Sequence, residues 1–113
     1  MNEKSKVWTE EQTINYEIAV EMISELKAIL RRQSRVIDDE KKIAAYKKRA
    51  SELTDEGRSF GGFDDDLVAD VIKTYSKLVR EYWDIGGTEE QIAEKGLPQQ
   101  YIDTKVEYAK YKK

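Results

Sequence analysis

Glu17, Glu21 and Glu25 stand one helical turn apart, and Asp64, Asp65 and Asp66 follow one another directly. Acids grouped in this way are the residue type that could hold a metal ion or move a proton. Neither group completes a working pattern. A dinuclear site in a helical bundle uses Glu-x-x-His pairs, and a calcium loop alternates its acids ahead of a glycine and a closing glutamate. The 113 residues include no histidine and no cysteine, which removes histidine triads, most zinc sites, thiolate chemistry and the ordinary base at neutral pH. The segment GRSFGGF, residues 57–63, lacks the Gly-Lys-Ser/Thr of a phosphate loop. The acids are therefore expected to form a solvated helix face and a helix N-cap. The protein is expected to be no enzyme and to need no cofactor or metal.

Binding is the better expectation. Phe60 and Phe63 flank Gly61 and Gly62, next to Arg58 and the acids Asp64, Asp65, Asp66 and Asp70; aromatic residues on a loop beside charged ones make an interaction anchor. The competing role for both phenylalanines is to tuck beneath the loop and close the core. Net charge is only −3, but it is laid out in blocks. Lys27–Arg49 holds nine basic residues against three acids, and Ala50–Glu94 holds twelve acids against four basic residues. Such blocks can steer a charged partner. The acidic middle suits a protein with a basic surface, as an immunity protein, antitoxin, inhibitor or adaptor would need, and Asp70, a turn inside its helix, is expected to present charge without a structural duty.

Residues 88–102, TEEQIAEKGLPQQYI, offer a different class of function. They resemble a DNA-binding helix-turn-helix in Thr88, Ile92, Ala93, Gly96, Leu97 and Ile102. They depart from it where Ala93 and Gly96 are three apart instead of four, a deletion that turns the second helix by about 100°. The alternative nucleic-acid surface is Gln99, Gln100, Tyr101, Lys105, Tyr108, Lys110, Lys112 and Lys113, on a last helix that would set Tyr101, Lys105, Tyr108 and Lys112 on one face. No arginine occurs beyond Gly86, and Glu89, Glu90 and Glu94 would face an approaching phosphate. Nucleic acid thus ranks below protein as a partner.

The elements that position these residues follow from periodicity and punctuation. All six glycines and the one proline lie at or beyond Gly57, so the first half has no strong breaker. Thr9-Glu10-Glu11-Gln12 is a capping box that opens a helix. Tyr16, Ala19, Ile23, Leu26, Leu30 and Ile37 form its apolar stripe, widened by Ile14, Ile18, Met22 and Ile29 and interrupted by Gln33. Near 34–39 the stripe changes phase, and a second helix takes over from Asp38 or Asp39, because one rod from Thr9 to Thr54 would run about 68 Å and would need a second copy beside it. Residues 55–66 read as the main loop. A central helix follows with Leu67, Val68, Val71, Ile72, Tyr75, Leu78, Val79 and Tyr82 or Trp83 inward. Thr88-Glu89-Glu90-Gln91 is a second capping box, with turns at 85–88 and 96–98, and Gly96 is expected in the left-handed conformation. The expectation is a single all-α domain over 1–113: a small bundle of about four to five helices, two of them long and N-terminal, with a short helix-turn-helix corner at the C-terminus and a flexible stretch at 1–8. No run approaches the roughly 18 apolar residues of a membrane span, and no signal peptide is evident, so a cytoplasmic location is expected.

Overall fold

The computed structural model describes residues 9–59 and 65–111. The expectations placed on residues 1–8 and on Phe60, Phe63, Asp64, Lys112 and Lys113 fall outside that range. Among the described residues every regular element is helical: α1 (Glu10–Val36), α2 (Glu40–Ser59), α3 (Asp65–Ile85), α4 (Glu89–Lys95), α5 (Gln100–Asp103) and a 3-10 turn (Tyr108–Tyr111).

Both capping boxes form. The Thr9 hydroxyl accepts from the Gln12 amide while Gln12 Oε1 accepts from the Thr9 amide, each at 3.0 Å. Thr88 and Gln91 repeat the arrangement at 3.2 and 2.8 Å. α1 stops at Val36 because Ile37 is extended, and Asp39 Oδ1 then accepts the Lys41 and Lys42 amides to start α2. The two long helices therefore form a hairpin. α1 and α3 run parallel: Gln12 bonds Asp65 near their starts, and Gln33 meets Tyr82 near their ends. α1 packs on both α2 and α3, whereas the backbones of α2 and α3 stay apart and meet through side chains.

The core is the predicted one along most of its length. Ala19, Ile23, Leu26, Ile29 and Leu30 of α1 meet Tyr46, Ala50 and Leu53 of α2 and Leu67, Val68, Val71, Tyr75, Leu78, Val79 and Tyr82 of α3. Tyr82 is the inward member of its pair, and Trp83 stands 59% exposed with the Arg32 guanidinium over its ring. Gln33, the polar break in the stripe, is fully buried and donates to the Glu89 carbonyl at 3.0 Å, tying α1 to α4. Ile14 and Ile18 stand exposed instead of widening the stripe, whereas Ile29 is fully buried and Met22 packs against the core as expected.

Three boundaries differ from expectation. Residues 55–59 continue α2 rather than beginning the loop. A glycine costs about 1 kcal/mol in a helix interior, but Glu56 beside Gly57 accepts hydrogen bonds from Arg49, Tyr75 and Tyr108, which pin that turn. Gly96 has the expected positive φ of 77° but ψ is 146°, a region essentially reserved for glycine and distinct from the left-handed helix. The last helix is the largest correction: α5 ends at Asp103, Thr104 is extended, and residues 105–107 belong to no regular element. Thr104 and Val106 alternate with exposed Lys105 and Glu107, a period-2 pattern that suits extended chain.

Candidate binding surfaces

The segment 104–107 fills the trough between α2 and α3. Its anchor is Arg49, whose side chain is 1% exposed. Arg49 Nη1 lies 2.8 Å from Glu56 Oε2, and Nη2 donates to the Tyr75 hydroxyl at 3.0 Å and the Thr104 carbonyl at 3.2 Å. Tyr75 and Tyr108 both donate to Glu56 Oε1, at 2.6 and 2.9 Å, and the Val106 amide donates to Tyr75. Burial alone would lower the Arg49 pKa, but its bonds to Glu56 outweigh that, so its charge is held firmly. Burial, with Glu56 adding to it, raises the Tyr75 and Tyr108 hydroxyls. These groups form a structural clasp with nearly every polar atom engaged; Arg49 Nε is without a partner.

The clasp changes the standing of both predicted surfaces. Tyr101 is fully buried and donates to the Leu78 carbonyl, so its ring cannot stack on a base. Tyr108 is spent on Glu56, Lys105 pairs with Glu52 at 3.4 Å, and Lys110 lies 3.9 Å from Asp70. Gln100 donates to Glu81 and Gln99 to Asp103. The expected Tyr101–Lys105–Tyr108–Lys112 face does not form among the described residues, because the helix that carries Tyr101 ends at Asp103. On the acidic side, Asp70 accepts from the Tyr111 hydroxyl at 2.7 Å and from Thr74, and the Tyr111 bond leads the causes that lower its pKa. Asp70 thus holds the 3-10 turn against α3, contrary to the expectation of a free surface charge. Asp65 accepts from Gln12, Asp66 is exposed, and Arg58 sits on the last turn of α2.

Two grooves that the sequence did not reveal lie on either side of the hairpin. The first, about 380 Å³, is formed where the 36–39 turn and the start of α2 meet α4. Asp38, Asp39, Glu90 and Glu94 rim it against a single cation, Lys42, and Val36, Ile37 and Tyr46 supply its apolar surface. Asp39 and Glu90 are 51 positions apart in sequence, and the Gln33–Glu89 and Arg32–Glu89 ties, together with buried Ile92, hold α4 at that end of α1. The signal available was the like-charge pair Glu90 and Glu94 at i,i+4, which costs a helix about 0.2–0.5 kcal/mol unless something else uses it.

The second groove, about 550 Å³, runs between α1 and α2. It is lined by Arg31 and Arg35 from α1, by Lys47, Ser51, Asp55 and Arg58 from α2, and by Ala50, Ser34 and Thr54 nearer its floor. Comparison with known proteins gives no match to a family model, to a curated sequence or to a solved structure. No helix among the described residues is long and apolar enough to cross a membrane.

Proposed function

We propose that the chain is a non-enzymatic binding module that associates stoichiometrically with another protein, taking a basic side chain of that partner into the groove between the hairpin turn and α4. The observation that carries this reading is the pairing of four carboxylates with an apolar surface in one concavity. A lysine or arginine has a matching build: its aliphatic stem can lie along Ile37 and Tyr46 while its charged head remains among Asp38, Glu90 and Glu94. Arginine in a partly enclosed pocket is a frequent anchor of protein interfaces. The excess of acids would also steer a basic partner during diffusional encounter. An inhibitor, immunity protein, antitoxin or adaptor acts by this kind of association.

The test begins with affinity purification of the tagged chain from its host, followed by light scattering to establish a one-to-one complex. Neutralising Asp38, Glu90 and Glu94 to Asn, Gln and Gln should then slow association with that partner roughly tenfold at low salt and flatten its salt dependence. Glu17→Gln, a single exposed acid near the start of α1 and about 30 Å along that helix from the groove at ~1.5 Å per residue, serves as a control and should leave the rate nearly unchanged. An unaltered on-rate in the triple variant would remove the groove as the contact surface.

A further inference from the structure

We infer that the groove between α1 and α2 is a site for a small ligand carrying several phosphates. Arg31, Arg35, Lys47 and Arg58 surround it, and Asp55 is its one acid. None of the four cations has an acid within salt-bridge reach among the described residues, whereas Arg32, Arg49, Lys105 and Lys110 all do. Unpaired cations occur elsewhere on the surface too, but here the fold gathers four of them around one concavity. A bound anion would supply the missing counter-charge.

The composition of the lining points to phosphate. Three of the four cations are arginines, whose planar forks match tetrahedral oxyanions through paired hydrogen bonds. Ser34 and Thr54 already donate to the carbonyls of Arg31 and Ala50, which leaves Ser51 as the lining hydroxyl with no hydrogen-bond partner among the described residues. Arg31 and Arg35 are separated by about 6 Å along α1, and Lys47 and Arg58 by about 16 Å along α2, at ~1.5 Å per residue. A single phosphate could reach one or two of these groups; a short chain of phosphates could reach more. The site is also bounded. Asp55 lies toward one end, and the hairpin turn beyond Arg35 carries Asp38, Asp39 and Glu40. A long polyanion running past either end would meet carboxylates, so the geometry favours a compact ligand over a nucleic-acid strand or an acidic peptide. These residues are separate from those of the proposed protein contact, and each site can fail alone.

Isothermal titration with inorganic tripolyphosphate at fixed ionic strength reads the site directly. The expected result is saturable one-to-one binding, with amide shifts confined to 31–35 and 47–58 in a parallel NMR titration. Arg31→Gln with Lys47→Gln should weaken binding at least about tenfold, and Arg35→Lys, which keeps the charge but loses the fork, should weaken it about threefold. Lys73→Gln with Lys77→Gln removes the same net charge from exposed positions of α3 and should change affinity by less than about twofold. The groove variant should melt no lower than the native chain, because it removes repulsion and no contact. The inference is overturned by absence of binding at about 1 mM, by equal losses in both double variants, or by tighter binding of a short oligothymidylate or oligoglutamate than of tripolyphosphate.

Discussion

Arg49 shows how one residue's role can invert between sequence and structure. In the sequence it is the last member of a basic block; in the fold it is the buried hub to which Glu56, Tyr75 and Thr104 attach. Removing one partner of a buried ion pair leaves the other charge stranded, at a cost of about 3–5 kcal/mol. Arg49→Met should therefore lower stability by that order in a urea titration, and a loss below about 1 kcal/mol would show that the clasp contributes little. Tyr108→Phe removes one bond to a carboxylate and should cost less, about 1–2 kcal/mol. Asp70→Asn should cost about 1 kcal/mol and make the 108–111 amides exchange faster, since it weakens the Tyr111 and Lys110 contacts without touching the helix start. Asp70 also predicts behaviour in acid. Its folded pKa lies below the ordinary 3.8, so its contribution is complete above that value and disappears as pH falls through the lowered one.

At the scale of elements, α1 and α3 were legible because each couples an apolar period of 3.6 to its own start signal, Thr9 with Gln12 and the aspartates before Leu67, and α4 because a capping box opens it and Gly96 closes it. What was not legible depends on partners distant in the chain. Gly57 signals a loop, yet Glu56 next to it is bonded to residues 7, 19 and 52 positions away. Tyr101, Lys105 and Tyr108 have helical spacing, yet the helix stops at Asp103 and the chain from 104 to 107 is irregular, with Thr104 and Val106 bonded to Arg49 and Tyr75. Both new grooves share this dependence, since each combines side chains of different helices. Two substitutions test the element assignments. Leu78 is 3% exposed and its carbonyl accepts from Tyr101, so Leu78→Ala should cost about 2–5 kcal/mol. Gly87 has φ 93°, and a Cβ there would come within 2.6 Å of Gln91 Oε1, the atom that accepts the Thr88 amide. Gly87→Ala should thus weaken α4's start, seen as faster exchange of the 88–92 amides while α1 and α2 remain protected.

The whole molecule is elongated, 57 × 25 × 18 Å with a radius of gyration of 16.0 Å, against about 13 Å for a compact domain of this length. Its shape follows the two parallel helices and the hairpin, and small-angle scattering should report a similar radius for a monomer. Alkaline pH should loosen the structure as a unit. Burial pushes the Tyr101 hydroxyl up to about 12 from an ordinary 10, with Glu81 and Tyr82 adding to the shift, and Tyr75 and Tyr108 move in the same direction. A pKa raised by folding marks stability that is complete below pH 10 and is lost as pH climbs through the folded values. The melting temperature should hold steady from pH 7 to 9 and fall by on the order of 10 °C by pH 12. The clasp also imposes an order on biosynthesis. Residues 104–111 are made after every element they close over, so Arg49 and Glu56 lack the partners this segment supplies until it has been synthesised and has docked. A message interrupted before codon 104 would yield a product open to proteolysis along the α2–α3 seam, and the cell would degrade it instead of retaining a shortened but working protein.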